Sequence, residues 1–179
     1  MRRTVISFSG RKDGNCAGVA REIQKRYGAE NVKIYDFSSL SIAPCGGCGA
    51  QCFQKEGACP HRNDPVCEMY ESITQSDLAV YIVPNYCDFP SSHFFAFSER
   101  GQCYFQRNAA RLEQYERAAK KFIVVSNTKK ENFIAAFSDH VHGEPEILFL
   151  AAKHYGRISL KGDLMTSDEA KRDVLRFLE

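Results

Sequence analysis

The sequence lacks any long hydrophobic run. No apolar stretch approaches the ~20 residues that a membrane helix needs, so we expect no membrane-spanning segment. The basic start, Met1-Arg2-Arg3, is followed by a short strand-like stretch and then by polar residues, not by the apolar core of a signal peptide, which favours a cytoplasmic location. No block of Lys and Arg stands out and the net charge is only +2, so we expect no nucleic-acid partner.

Internal repeats, low-complexity tracts and linkers are also missing from the sequence. Its 179 residues suffice for one substantial core. The balance of 44% hydrophobic and 26% charged residues is typical of a globular chain. We therefore predict one domain over residues 1–179, with a Cys-rich loop at about residues 43–62. The five histidines form no Ser/His/Asp or Cys/His arrangement, so we predict no catalytic side chain.

Hydrophobic periodicity predicts strands that alternate with helices. The predicted strands are residues 5–8, 32–37, 78–83, 122–125 and 158–160. Helices are predicted from residue 15 to 27, from 64 to about 75, from 91, from 108 to about 120, from 146 to 154 and from 166. Thr166 and Glu169 fit a capping box at the start of the last helix, and residues 132–141 are ambiguous. This alternation indicates an α/β protein with a mostly parallel sheet.

Three polar turns follow predicted strands, at residues 9–15, 84–89 and 127–130. Ligands of such sheets bind outside the carboxyl ends of the strands, where the strand order reverses. The first turn is suited to an anion, because hydroxyl, amide and guanidinium groups lie beside the free N–H groups of a helix start. A plain strand-to-helix connection with an N-cap is the alternative interpretation of that turn.

Two motifs together resemble a known family. Residues 9–16, SGRKDGNC, resemble the S-P-R-x-x-G-N-T phosphate loop of the NAD(P)H-dependent FMN reductase and iron–sulfur flavoprotein families. Pro84-Asn85-Tyr86, followed by Ser91 and by AFSER at residues 96–100, resembles their P-x-Y-x-x-x-x-S segment, which ends in A-F-x-D-R. The resemblance implies a flavodoxin-like three-layer sandwich, with a five-stranded parallel sheet of order 2-1-3-4-5 and helices on both faces.

An FMN site at the carboxyl edge of the sheet is also implied by the resemblance. Its phosphate would be held by Ser9, Arg11, Asn15 and the amides around Gly14 and Cys16, and its ring would be lined by Pro84, Asn85, Tyr86 and Cys87, with Asn127 on the third loop. Gly10 and Cys16 stand where the family usually has Pro and Thr. For Tyr86, a half-buried aromatic at a strand end is the alternative.

Electron transfer is the activity that the resemblance implies. NAD(P)H would deliver hydride to the flavin, which would reduce free flavin, a quinone or a protein acceptor. Because no G-x-G-x-x-G is present, the nicotinamide nucleotide is expected as a transient substrate. Family members usually form dimers or tetramers, with Phe94, Phe95 and Phe97 available for core or interface packing. Two alternatives stay open: an iron–sulfur flavoprotein carrier without its own nicotinamide site, and a zinc-stabilised, non-enzymatic α/β binding module.

Four of the eight cysteines cluster as Cys45-x2-Cys48-x3-Cys52-x6-Cys59. Thiolates at such spacing, separated by Gly, are typical ligands of zinc or of a 4Fe–4S cluster. The pattern resembles the compact cysteine motif of iron–sulfur flavoproteins, whose usual second spacing is x2. Three interpretations stay open here: a 4Fe–4S cluster, zinc, or thiols that are reduced or redox-active. Cys67, Cys87 and Cys103 fit no metal motif and are interpreted by default as small buried hydrophobic residues.

Overall fold

In the computed structural model, which describes residues 1–126 and 130–179, helices cover both faces of a parallel sheet. The strands are β1 (Arg3–Ser7), β2 (Val32–Asp36), β3 (Leu78–Tyr86), β4 (Phe89–Pro90), β5 (Lys120–Val125) and β6 (Glu146–Leu150). The α-helices are α1 (Asn15–Tyr27), α2 (Gln51–Gln54), α3 (Val66–Gln75), α4 (Ser92–Phe105), α5 (Ala109–Arg117), α6 (Lys130–Ser138) and α7 (Asp168–Phe177). None of the helices within these described ranges is long and apolar enough to cross a bilayer.

The sheet has the strand order β2-β1-β3-β5-β6, and all neighbours in it run parallel. The two-residue β4 pairs antiparallel with the end of β3 and lies off this path. Without β4, the order is the predicted 2-1-3-4-5, so the predicted α/β architecture is confirmed and the strand count rises to six. The order reverses between β1 and β3, which is the point where ligands bind in such sheets.

The last long strand lies elsewhere than predicted. Residues 146–150 form β6 rather than a helix, and residues 158–160, predicted as a strand, lead into a short 3₁₀ helix at Ser159–Lys161. Ile147 and Phe149 pack on one face of the sheet, and Leu148 and Leu150 pack on the other. A strand covered on both faces is apolar at successive positions, so its pattern does not distinguish it from a buried helix.

Two layers of core lie on the two faces of the sheet. Tyr81 and Val83 of β3 face an aromatic-rich layer formed with α3, α4 and α6. Val80 and Ile82 face an aliphatic layer formed with α1 and α7. This double burial explains the continuous apolar run of β3, which was correctly predicted as a central strand.

Helix ends follow local sequence signals in most places. Gly28 ends α1 at φ 87°, in the left-handed region that favours glycine. Ser91 caps α4 by accepting a hydrogen bond from the Phe94 N–H. The predicted Thr166 cap of the last helix is wrong by one residue: Ser167 caps α7 and accepts from the Ala170 N–H.

Candidate functional site at the carboxyl edge of the sheet

The turns that follow β1 and β3 lie side by side at the carboxyl edge. The Phe8 N–H donates to the Ile82 carbonyl at 2.9 Å, which continues the β1–β3 ladder past the strand end. The Ser91 hydroxyl donates to the Phe8 carbonyl at 2.8 Å and ties the start of α4 to the same turn. A Cβ built on Gly10 would lie 3.2 Å from His93 Nε2, so the turn after β1 also contacts the first turn of α4. The fold thus brings together the first two predicted turns.

The turn after β1 is a tight loop that ends at the N-terminus of α1. Ser9 is buried, and its hydroxyl accepts a hydrogen bond from the Arg11 N–H at 3.2 Å. The Gly14 N–H donates to the Arg11 carbonyl at 3.2 Å and closes the loop. The first turn of α1 contains no acidic residue, and its amides have no acceptor within the helix. These amides and the helix dipole make the loop a favourable place for an anion.

A C-terminal segment, residues 157–164, lies along this loop. The exposed Arg11 guanidinium donates to the Leu160 carbonyl at 2.6 Å. Asn15 uses both ends of its amide on the segment: Nδ2 donates to the Ser159 carbonyl at 3.1 Å, and Oδ1 accepts from the Leu164 N–H at 3.0 Å. The Asn15 side chain therefore holds the segment, and what it offers to an anion is its backbone N–H.

Contact between this segment and the loop is close at Gly162. Its φ is 72°, and a Cβ there would collide with the Asp13 carbonyl. Sequence reasoning missed the segment, because the pattern of residues 158–160 predicts a strand of the sheet. The signal that could have found it is the isolated Gly162 in a polar stretch.

The Cys16 thiol faces the protein interior. Cys16 lies in the first turn of α1 and is buried in the aliphatic layer, among Val19, Ala20 and neighbouring apolar side chains. Burial is the main reason that its pKa is raised well above the usual value for a thiol. Like Asn15, Cys16 presents its backbone amide, not its side chain, to the loop.

The end of β3 forms a tight hairpin with β4. Cys87 and Asp88 occupy its centre at φ 54° and 68°, the left-handed pair typical of a type I′ turn. Asn85 Oδ1 accepts from the Asp88 N–H at 2.9 Å, and the Asp88 carbonyl accepts from Asn132 Nδ2 at 2.9 Å, so α6 also holds this turn. Sequence reasoning did not identify Asn132.

Asn85 leaves one buried donor without a partner. Its Nδ2 atom is shielded from solvent and makes no hydrogen bond with any described part of the chain. An unsatisfied buried polar group costs about 1–3 kcal/mol, so a ligand acceptor placed there would be favoured. Next to it, Tyr86 and its cross-strand partner Phe89 are 50% and 53% exposed and form an apolar wall. Pro84 is buried within β3, Cys87 is exposed, and the predicted contact Asn127 lies outside the described residues.

The four predicted metal ligands differ in burial. Cys52 and Cys59 are buried and pack together with Cys103, whereas Cys45 is exposed and Cys48 is half-buried. Within residues 1–126 and 130–179, no three His, Cys, Asp or Glu side chains are arranged to hold a metal ion. These described side chains therefore show no formed site for zinc or a 4Fe–4S cluster, and metal binding by the four cysteines stays a prediction.

Arg100 of α4 anchors the Cys-rich segment. Its buried guanidinium donates to both carboxylate oxygens of Asp64, at 2.5 and 3.1 Å. It also donates to the carbonyls of Ala43, at 2.7 Å, and His61, at 3.1 Å. Beside it, Glu99 accepts from the Cys45 N–H at 2.8 Å. The last two residues of the AFSER motif thus hold both ends of the segment, a role that the sequence pattern did not reveal.

Comparisons with known proteins agree with this geometry. Residues 1–130 match the family model described as NADPH-dependent FMN reductase. An iron–sulfur flavoprotein from Clostridioides difficile (strain 630) is 29% identical over 108 residues, which cover 58% of this chain and 47% of that protein. The chain thus spans about half the length of the curated relative that it matches.

Solved structures share the fold over nearly the whole chain. The Trp repressor binding protein from Bacillus subtilis has a TM-score of 0.64 and 14% identity, covering 99% of this chain and 97% of that one. The NAD(P)H:(acceptor) oxidoreductase FerB from Paracoccus denitrificans has a TM-score of 0.57 and 16% identity, covering 98% and 94%. The family model matches well over half of the chain and agrees with the paired loops at the carboxyl edge. The chain therefore belongs to the NADPH-dependent FMN reductase family.

Proposed function

We propose that this chain is a flavoprotein oxidoreductase that binds FMN at the carboxyl edge of its sheet and accepts hydride from NAD(P)H. The observation that carries the proposal is the loop of residues 9–14. It joins a buried hydroxyl, a cationic side chain and the free amides of α1 at the switch point of the sheet. Membership of the reductase family supports the same ligand.

Individual residues take separate roles in this proposal. Ser9, Arg11 and the amides of Asn15 and Cys16 at the start of α1 bind the phosphate, while the Gly14 N–H keeps the hydrogen bond that closes the loop. The unpartnered Asn85 Nδ2 donates to a polar atom of the ring, and Tyr86 supplies a flat apolar surface beside it. FMN, when bound, supplies the hydride and electron chemistry, so the chain needs only to bind and orient it. We assign no acid or base side chain to the reaction.

Substrates reach the site from the open edge of the sheet. The half-exposed Tyr86 and Phe89 leave an accessible apolar surface, which suits stacking of a nicotinamide and, afterwards, of a flavin or quinone acceptor. A protein acceptor fits the same open edge. We propose that the enzyme works in the cytoplasm as a homodimer or homotetramer, in line with the exposed Phe95 on α4.

Anaerobic reduction by a pyridine nucleotide tests the proposal. The purified protein, reconstituted with FMN and freed of excess, should be yellow, and adding NADPH or NADH should bleach the flavin absorbance. The Ser9→Ala/Arg11→Ala variant should lose FMN on gel filtration, whereas Lys12→Ala, an exposed neighbour on the same loop, should retain it. A colourless wild-type protein that FMN does not reconstitute would contradict the proposal.

A second candidate is an iron–sulfur flavoprotein that carries electrons without a nicotinamide site. The four-cysteine spacing and the Clostridioides difficile relative favour it. The exposure of Cys45 and the packing of the buried Cys52 and Cys59 against Cys103 oppose it. Iron and sulfide analysis of anaerobically prepared protein distinguishes the two. Four irons per chain, together with flavin that NAD(P)H does not reduce, would establish the carrier in place of the reductase.

A further inference from the structure

The hairpin that joins β3 to β4 turns through two residues in the left-handed region. Cys87 has φ 54° and Asp88 has φ 68°. Turns of this type favour glycine at such positions, because a Cβ makes the left-handed conformation unfavourable. Two residues that carry a Cβ do not hold this conformation by their own preference, so contacts from outside the turn stabilise it.

Asn132, in the first turn of α6, supplies a contact of this kind. Its Nδ2 atom donates to the Asp88 carbonyl at 2.9 Å, across a sequence separation of 44. The Asp88 N–H in turn donates to Asn85 Oδ1, also at 2.9 Å. Helix α6 packs against β4, which keeps Asn132 within reach of the turn. A chain of two hydrogen bonds therefore leads from α6, through Asp88, to the end of β3.

This chain of hydrogen bonds fixes the direction of the Asn85 side-chain amide. Its Oδ1 atom faces the Asp88 N–H, so its Nδ2 atom lies on the other side of the amide group. A flipped amide would place one donor against another and would lose the hydrogen bond. Nδ2 is the shielded donor that has no partner within residues 1–126 and 130–179. The conformation of the turn thus decides where this donor points.

We propose that Asn132 is a positioning residue of the flavin site, which acts through Asp88 to orient the Asn85 Nδ2 donor towards the ring of FMN. This role rests on the proposed function and extends the site to α6. Without the Asn132 amide, the Asp88 carbonyl loses this hydrogen bond, and the turn relaxes towards the φ values that residues with a Cβ prefer. The Asp88 N–H then moves away from Asn85 Oδ1, and the Asn85 amide is free to rotate.

A double-mutant cycle on FMN affinity tests this role. Fluorescence titrations of the full-length apoprotein compare Asn132→Leu, Asn85→Ala and the double variant with the wild type. Asn132→Leu should weaken FMN binding by roughly 2–12-fold, the value of one neutral hydrogen bond. The double variant should bind no more weakly than Asn85→Ala, because the amide that Asn132 orients is then absent. Losses that multiply in the double variant would overturn the proposal.

Restoring the turn by another route distinguishes positioning from general stabilisation. Asp88→Gly places glycine where a left-handed φ is favoured, so Asn132→Leu/Asp88→Gly should regain most of the lost affinity. No recovery would show that Asn132 does not act through the turn. The control is Ser138→Ala, whose hydroxyl bonds within α6 to the Ile134 carbonyl, and it should bind FMN like the wild type. An equal loss in this control would assign the effect to α6 as a whole and contradict the proposal.

Failure of this role and failure of the proposed function give different results. A wild type that binds no FMN would contradict both together. A wild type that binds FMN, with the same Kd in Asn132→Leu, would contradict the role of Asn132 alone. Circular dichroism checks that each variant is folded. Asn132→Ala removes the same donor without adding bulk, so it takes the place of Asn132→Leu if that variant does not fold.

Discussion

Replacing Arg100 by Met should destabilise this protein strongly, because it leaves the Asp64 carboxylate without its cation. The Arg100 side chain is 1% exposed and that of Asp64 is 14% exposed. The substitution removes two hydrogen bonds to Asp64 and one each to the carbonyls of Ala43 and His61. Methionine fills similar volume but donates no hydrogen bond.

The expected magnitude follows from the burial of the pair. Removing one partner of a buried ion pair costs about 3–5 kcal/mol, because the other charge remains desolvated. For a chain of this size, each kcal/mol lowers Tm by about 2–4 °C. We therefore expect a fall of roughly 6–20 °C, together with faster proteolysis of residues 43–64, whose two ends Arg100 holds.

Thermal unfolding followed by circular dichroism measures this effect. Arg117→Met is the matched control, because its pair with Glu113 is 72% and 58% exposed and such surface pairs contribute at most about 1 kcal/mol. The double variant Arg100→Met/Asp64→Leu should recover part of the loss, since no buried charge remains. If Arg100→Met lowers Tm no more than Arg117→Met, the reasoning about the buried pair is refuted.

Three further predictions concern the candidate site and the core. Asn85→Asp keeps the oxygen that accepts the hydrogen bond of the turn but removes the unpartnered Nδ2 donor. A fluorescence titration should therefore show FMN affinity reduced by roughly 5–150-fold, equivalent to about 1–3 kcal/mol. Unchanged affinity would show that this side chain does not contact FMN. Gly162→Ala should lower FMN affinity and Tm, because the added Cβ collides with the Asp13 carbonyl of the loop. The control Gly156→Ala, at φ 63° with open space around it, should cost only the backbone strain of about 1 kcal/mol. Equal effects of the two substitutions would show that the collision is relieved without disturbing the loop. Burial first, and the nearby Lys120 second, lower the pKa of His140 to about 4. The unfolded chain then binds the proton more tightly between pH 4 and about 6.5, so stability from this group is complete above pH 6.5 and is lost as the pH falls towards 4, by roughly 3 kcal/mol in all. Urea unfolding at pH 4.5 and 7 should show a smaller difference for His140→Gln than for the wild type, and an identical difference would contradict the assignment.

Local sequence patterns predicted most of the sheet. The apolar run of β3 and the 13-residue amphipathic α1 were located correctly because their burial repeats with the period of the element. Strand β6 was mistaken for a helix because apolar side chains pack on both its faces, which removes the alternation that identifies a strand. Residues 158–160 were mistaken for a strand because Ile158 and Leu160 flank Ser159 with the alternation of a short strand, although Leu160 is 78% exposed.

Long-range contacts account for what the sequence did not reveal at the site. The Asn15 side chain forms hydrogen bonds with Ser159 and Leu164, at sequence separations of 144 and 149, and no local sequence pattern predicts such partners. Arg100 likewise reaches back 36 residues to Asp64. The four-cysteine spacing indicated a metal, but the fold packs Cys59 against Cys103, which lies more than 40 positions later in the sequence. Spacing in one segment therefore predicts which thiols are near, but not which ones meet.

The binding of FMN compared with riboflavin tests the central claim most directly, because the two differ by the phosphate alone. If the loop of residues 9–14 binds that phosphate, a charge-assisted contribution of about 3–6 kcal/mol from two such hydrogen bonds is lost with riboflavin. Fluorescence-quenching titrations of the wild-type apoprotein should then give a Kd for FMN that is roughly 10²–10⁴-fold lower than that for riboflavin. Equal affinities for the two flavins, or binding of neither, would contradict the account.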